Sequence, residues 1–152
     1  MVKIAAQTYS LSNHNDEFQT LDGCDGNSDA MELFLELTGD DVLLQVDIGW
    51  AAMETDVLAF LRKYANRVGS IHLKDFYPGY QQYKREEMPT EMFAPIGEGV
   101  IPTKEVLSML DSFPNFGGTV IIDQDRSSDN LRDMEIGYRN IRRMLSNQEE
   151  GA

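Results

Sequence analysis

The sequence contains a single cysteine, Cys24, and no apolar run long enough to cross a membrane. One cysteine excludes an internal disulfide framework, and scarce cysteine is typical of proteins from a reducing compartment. The N-terminus also lacks a basic segment followed by a long apolar one, so it indicates neither a signal peptide nor a transmembrane helix. We therefore expect a cytoplasmic protein that does not enter membranes.

Basic residues are scarce as well. The chain has 13 Lys and Arg residues against 26 Asp and Glu residues, which gives a formal net charge of -13. Such a surface repels phosphate backbones and anionic lipid, so nucleic acid and membranes are excluded as expected partners. It favours a site that attracts a divalent cation. A sugar phosphate stays open as a ligand, because Lys74 or Arg126 can dominate the potential of one pocket.

Strands alternate with helices along the 152 residues, which fit one domain spanning 1–152. Strands are predicted over 2–9, 42–48, 70–73 and 119–122, with a long loop over 77–101. Helices are predicted to begin at the caps Ser28 and Asp56, at Pro102, and before the stripe of the last helix. The apolar stripes of these helices are interpreted as core. They are Ala30, Leu33, Phe34 and Leu37; Val57, Leu61, Tyr64 and Val68; and Leu131, Met134, Tyr138, Ile141 and Leu145.

Three of the predicted strands end in a residue that can bind a metal. The apolar run over 42–46 reaches Asp47, the run over 70–73 contains His72, and the run over 119–122 reaches Asp123. The alternation of strands and helices predicts a parallel sheet, in which carboxyl ends of strands converge on a ligand. Two carboxylates and an imidazole are a ligand set for a borderline divalent metal. The alternative for His72 alone is a hydrogen-bonded core residue.

Three further side chains near these strand ends are candidates for substrate binding. Lys74 would neutralise a sugar phosphate or an oxyanion, or would form an ion pair with Asp75. Trp50 would stack on a sugar face, or fill the core. Arg126 would hold a substrate anion with two hydrogen bonds, or form a surface ion pair. The sequence leaves each of these alternatives open.

The motifs at these strand ends resemble a known family. The segments 46–50, 71–75 and 121–125 read VDIGW, IHLKD and IIDQD. Their order and spacing resemble the second half of the sugar phosphate isomerase/epimerase family, TIM barrels of the xylose isomerase-like superfamily. The resemblance runs from about residue 13 to the end, and 3–11 resembles the first strand of the family.

The resemblance implies a metal-dependent site. The ligand positions correspond to Asp47, His72 and Asp123, and the metal would be Mn, Mg, Co or Zn, with a metal-free protein as the alternative. The family's fourth ligand aligns with Ser12, a poor ligand, and His14 follows two residues later.

The implied activity is that of an isomerase or epimerase acting on a sugar or sugar phosphate by metal-assisted proton transfer next to a carbonyl. Asp47 and Asp123, with His14 and Glu17, are then the catalytic candidates. Trp50, Lys74 and Arg126 would contact the substrate.

The number of strands sets the expected architecture. A TIM barrel typically has eight strands in about 250 residues, whereas this sequence supplies four. We expect a parallel (βα)4 half-barrel whose apolar concave face, including the residues of 2–6, 42–46 and 120–122, stays uncovered until a homodimer closes it. A flattened sheet covered by the long loop or by a partner is the alternative. The competing functional hypothesis is a catalytically inactive half-barrel that self-associates, with at most residual metal or ligand binding.

Overall fold

A computed structural model describes residues 4–7, 28–40 and 42–149. Its main element is a parallel four-stranded sheet, with a two-stranded antiparallel ribbon beside it. In chain order the strands are β1 (Ile4–Gln7), β2 (Val42–Asp47), β3 (Val68–Leu73), β4 (Asp75–Phe76), β5 (Phe93–Ala94) and β6 (Val120–Ile122). The large sheet has the order β1-β2-β3-β6, so β1 and β6 are its terminal strands.

Five α-helices accompany the strands in the described part of the chain. They are α1 (Ser28–Thr38), α2 (Ile48–Glu54), α3 (Val57–Lys63), α4 (Thr103–Met109) and α5 (Asn130–Glu149). None of these described helices combines the length and the apolar character that a membrane span requires. The structure is therefore α/β with a parallel sheet, which is consistent with a partial barrel.

One helix boundary differs from the prediction, and one helix was not predicted. Asp56 caps α3 as expected, since its carboxylate accepts hydrogen bonds from the backbone N–H groups of Leu58 and Ala59. The helix ends at Lys63, however, and Val68 opens β3 instead of continuing the helix. The short helix α2 was missed. It begins directly after β2 because the Asp47 carboxylate accepts a hydrogen bond from the Trp50 N–H and caps the helix.

The apolar residues of the two central strands already lie in the core of this chain. Leu44 and Val46 of β2 and Ile71 and Leu73 of β3 are all 0% exposed, and Leu43 is 5% exposed. The expectation that the apolar residues of 42–46 stay uncovered until a partner binds is therefore wrong for Leu43, Leu44 and Val46, whereas Val42 is half-buried. Residues 2–3 and 8–9 of the predicted first strand lie outside the described part.

Two helix stripes are less buried than predicted. Leu37 of α1 is 77% exposed, and Leu131, Met134 and Tyr138 of α5 are 83%, 41% and 56% exposed. Only the later part of the α5 stripe is covered, with Ile141 buried at 5% exposure. The interpretation of these four exposed residues as core is wrong, since helical periodicity marks a face but not what covers it.

The long segment between β4 and α4 is fixed by one buried carboxylate. Asp75 is 2% exposed. Its Oδ1 accepts hydrogen bonds from the N–H groups of Phe76 and Ile101, both at 2.9 Å, and its Oδ2 accepts from Gly97 at 2.8 Å and Gly99 at 3.0 Å. Burial raises the pKa of Asp75, and these four hydrogen bonds oppose the increase. A Cβ at Gly99 would lie 2.2 Å from Asp75 Oδ1, so the turn requires glycine.

We predict that Asp75→Asn lowers the free energy of unfolding by about 3 kcal/mol, because the amide nitrogen cannot accept hydrogen bonds and leaves buried N–H groups unpaired. Urea unfolding followed by circular dichroism measures the change. The matched control is Asp111→Asn, on an exposed residue, which should stay within about 0.5 kcal/mol of the wild type. Equal stability of both variants would contradict this role for Asp75.

Candidate metal and substrate site

Three strand ends bring the predicted ligands to one edge of the sheet. Asp47 ends β2 and pairs in register with His72 of β3. Asp123 follows β6, and its N–H donates to the carbonyl of Leu73 at 2.9 Å, which holds it level with the end of β3. Parallel strands place their carboxyl ends at the same edge. The predicted convergence of Asp47, His72 and Asp123 is therefore seen in the structure.

The ligand atoms of these three side chains lie close together. One atom from each, a carboxylate oxygen or an imidazole nitrogen, falls within 4.8 Å of the other two. His72 Nδ1 lies 3.1 Å from Asp123 Oδ2, a hydrogen bond that orients the ring. His72 Nε2 is buried and has no hydrogen-bond partner among the described residues. Two carboxylates and an incompletely satisfied imidazole fit the donor preferences of a borderline divalent metal.

A buried ammonium lies between the carboxylates. Lys74 is 2% exposed. Its Nζ is 2.7 Å from Asp125 Oδ2, 2.9 Å from Asp47 Oδ2 and 3.3 Å from Asp123 Oδ2. Burial acts to lower the pKa of Lys74, but the charge of Asp47 and the hydrogen bond to Asp125 outweigh it and raise the pKa. The carboxylate of the adjacent Asp75 is used by backbone N–H groups instead, so the alternative of a Lys74–Asp75 ion pair is wrong.

The sequence makes room for this lysine at Gly49. A Cβ at Gly49 would lie 2.8 Å from Cγ and 2.9 Å from Cβ of Lys74, closer than such atoms approach. Lys74 Nζ also lies 4.7 Å from the centre of the Trp50 ring, within cation–π range. Gly49 was missed as a site residue because its contribution is the absence of a side chain.

The two candidate ligand carboxyls have different environments. Burial raises the pKa of Asp47, although the Lys74 charge and the Trp50 N–H lower it in part. Burial also acts to raise the pKa of Asp123, but the hydrogen bond from His72 and the Lys74 charge outweigh it and lower the pKa. Their pKa values are therefore shifted in opposite directions, and Asp123 holds a negative charge more readily.

Aromatic residues line the wall beside the ammonium. Trp50 packs against Phe76 and Phe93, with ring centroids at 5.1 and 5.9 Å. The guanidinium of Arg85, from the long loop, lies 4.1 Å from the centre of the Trp50 ring. Sequence reasoning missed Arg85, because this residue lies within the long loop and not at the end of a predicted strand. These contacts match the core-packing interpretation of Trp50, and its role in substrate binding stays a prediction.

Arg126 ties the same loop to the segment after β6. Its Nη1 donates to the carbonyl of Met88 at 2.6 Å, and its guanidinium lies 5.6 Å from the centre of the Phe93 ring. Arg126 is exposed, and anion binding by its guanidinium stays a prediction. The remaining candidates His14 and Glu17, together with Ser12 and Cys24, lie outside the described residues.

Comparison with known proteins finds a distant similarity. The chain is 31% identical over 102 residues to inosose dehydratases from Klebsiella pneumoniae strains MGH 78578 and 342, and the match covers 60% of this chain and 34% of each enzyme. The match thus spans about a third of the length of these curated relatives. No family model matches the chain. No solved structure matches it. The similarity supports the motif resemblance at the level of the superfamily.

We predict that Lys74→Met lowers the free energy of unfolding by about 3 kcal/mol or more, because it leaves the buried Asp47 carboxylate without its ion pair. Urea unfolding at neutral pH measures the loss. Lys63→Met is the matched control, since Lys63 pairs with Glu32 at an exposed position, where ion pairs contribute about 0–1 kcal/mol. An equal and small loss in both variants would show that the Lys74 cluster does not stabilise the fold.

Proposed function

We propose that this chain binds a divalent metal through Asp47, His72 and Asp123 and uses the site to process a sugar or a related polyol ketone. The proposal is carried by the proximity of the three ligand atoms, all within 4.8 Å of one another at the ends of adjacent strands. The buried His72 Nε2, which lacks a hydrogen-bond partner in the described structure, supports it. Manganese, magnesium, cobalt and zinc are the candidate metals.

The proposed chemistry begins next to a carbonyl. A bound divalent metal would act as a Lewis acid that polarises the carbonyl and an adjacent hydroxyl oxygen of the substrate. The hydrogen bond from His72 Nδ1 to Asp123 Oδ2 holds both side chains in place, and Asp47 is held by the Trp50 N–H. These contacts fix the ligands before substrate arrives.

The distant relatives suggest the substrate class. The name inosose dehydratase describes removal of water from an inosose, a cyclic polyol ketone. Dehydration beside a ketone and isomerisation of a sugar share a first step, the removal of a proton from the carbon next to the carbonyl. We infer that this step is the activity to test, with Asp47, Asp123, His14 and Glu17 as the groups that transfer the proton.

Three side chains are proposed to meet the substrate. Trp50 presents an aromatic ring beside the ligand cluster, and aromatic rings pack against the apolar faces of sugars. Lys74 would orient a hydroxyl or phosphate oxygen at the edge of its carboxylate cluster. Arg126, exposed on the segment after β6, would contact an anionic group of a sugar phosphate.

A second candidate is the catalytically inactive half-barrel with weak or no metal binding. One observation favours it. The Lys74 ammonium already lies 2.9 Å from Asp47 Oδ2 and 3.3 Å from Asp123 Oδ2, and so neutralises the two proposed carboxylate ligands. A metal and this ammonium would compete for the same oxygens. Metal affinity therefore separates the two candidates directly.

We predict that the purified, metal-stripped protein binds one Mn²⁺ or Zn²⁺ per chain in isothermal titration calorimetry. His72→Gln should weaken the affinity at least about tenfold, because it removes the imidazole ligand. Glu135→Gln is the matched control at an exposed ion pair on α5 and should bind as the wild type does. Lys74→Met should bind the metal more tightly than the wild type, because the competing ammonium is gone.

The activity is tested by proton exchange. With metal bound, the wild type should exchange the proton next to the carbonyl of an inosose or ketose phosphate for deuterium in D₂O, followed by NMR, and His72→Gln should lose this exchange. If the protein binds one metal per chain but exchanges no proton, it is a metal-binding protein and the proposed enzymatic activity is refuted. Absence of metal binding in both the wild type and Lys74→Met would refute the proposed site.

A further inference from the structure

Helix α5 has an apolar stripe that is exposed in the described part of the chain. Leu131, Met134 and Tyr138 follow one another at spacings of three and four residues and are 83%, 41% and 56% exposed. Such spacing places them on one face of a helix. Isolated exposed apolar residues are normal on a surface, but a continuous stripe of large ones indicates an interface.

The contacts of α5 with the rest of the chain lie beside this stripe and further along the helix, where Ile141, about 20° around the helix from Met134, is 5% exposed. Asn140 donates from its side-chain amide to the carbonyl of Ile96 at 3.0 Å, and a Cβ at Gly137 would lie 3.3 Å from Ile96 Cβ. At 100° per residue, Gly137 and Asn140 lie about 100–160° around the helix from Tyr138. The exposed stripe therefore borders the packed face and lies in the first half of the helix, before the buried Ile141.

Helix α5, which carries the stripe, contacts a terminal strand of the described sheet. β6 is last in the order β1-β2-β3-β6, and all three of its residues, Val120, Ile121 and Ile122, are only partly buried. By contrast, Leu44 and Ile71 of the central strands are 0% exposed. In right-handed βα units a helix covers its own strand and the strand that follows. α5 is the helix for which the described sheet supplies no following strand.

The two ends of the sheet have complementary charge. The segment 130–149 of α5 contains four arginines, at 132, 139, 142 and 143, against three acidic residues. The segment 28–38 of α1, between β1 and β2, contains no basic residue and three acidic ones. Leu37, which is 77% exposed, adds an apolar contact at the acidic end. Charge of opposite sign around apolar residues is the pattern of a specific interface.

We propose that the occupant of the α5 stripe is a second copy of this chain. Leu131, Met134 and Tyr138 of one protomer pack against the α1–β1 end of its partner, and β6 of one protomer lies beside β1 of the other. A twofold axis makes the contact twice, so that two four-stranded sheets close into one ring with no terminal strand. This inference goes beyond the proposed function and does not depend on metal binding.

Sedimentation velocity of the metal-free protein tests the contact. The wild type should sediment as a dimer, and Leu131→Glu with Tyr138→Glu should weaken dimerisation by more than about a hundredfold, because charges would enter an apolar contact. Tyr83→Glu is the matched control, since Tyr83 is 38% exposed and belongs to the long loop and not to α5, and it should stay dimeric. A monomeric wild type, or a dimer that tolerates the double variant, would overturn the proposal.

A charge-swap experiment identifies the surface that α5 meets. Arg139→Glu with Arg142→Glu should make one variant monomeric, and Glu36→Lys with Asp40→Lys should do the same in another, because like charges would face each other in both contacts of the dimer. All four positions are exposed, so folding should persist, with circular dichroism as the check. Mixed together, the two variants should form a heterodimer with both contacts complementary. A Glu36→Lys with Asp40→Lys variant that stays dimeric, as an α5-to-α5 contact would allow, contradicts the proposed arrangement, and so does a mixture that stays monomeric.

Discussion

The site depends on the burial of one ammonium among three carboxylates. Lys74 Nζ contacts Asp125, Asp47 and Asp123, which come from the ends of two strands that do not pair with each other. Carboxylates brought close together repel one another, and a cation between them removes most of that cost. Space for the lysine comes from Gly49, where a Cβ would collide with its stem. The edge of the sheet is thus assembled around a charge supplied by the chain itself.

Two consecutive residues have different roles, one in the site and one in the structure that supports it. Lys74 serves the carboxylates, whereas the adjacent Asp75 accepts four backbone hydrogen bonds and fixes the end of the long loop. Arg85 of that loop packs on the Trp50 ring, and Arg126 of the segment after β6 packs on the Phe93 ring. Both rings lie beside the site. Residues that are consecutive at the end of β3 therefore connect the ligand cluster with the loop that borders it.

Sequence reasoning predicted the three strands that carry the candidate ligands, because apolar runs that end in His or Asp indicate both a buried strand and a polar strand end. It located the parallel sheet and the convergence of Asp47, His72 and Asp123. It missed the role of Lys74, whose partners Asp123 and Asp125 lie far along the chain and are matched only by the register of β3 with β6. It also missed the exposure of the α5 stripe, since periodicity does not reveal which helix face lacks a neighbour. The short helix α2 was not predicted, because Asp47 was interpreted only as a metal ligand and not also as the N-cap of a helix.

The most direct test is a crystal structure of the protein grown with Mn²⁺, with diffraction recorded at the manganese absorption edge. We expect one anomalous peak per chain, about 2.0–2.3 Å from ligand atoms of Asp47, His72 and Asp123, with Lys74 buried beside Asp125. A map that lacks a manganese peak and shows these three side chains apart, or Lys74 pointing into solvent, would contradict the central claim. That claim is that the strand ends form one site around two cations, the Lys74 ammonium and a metal.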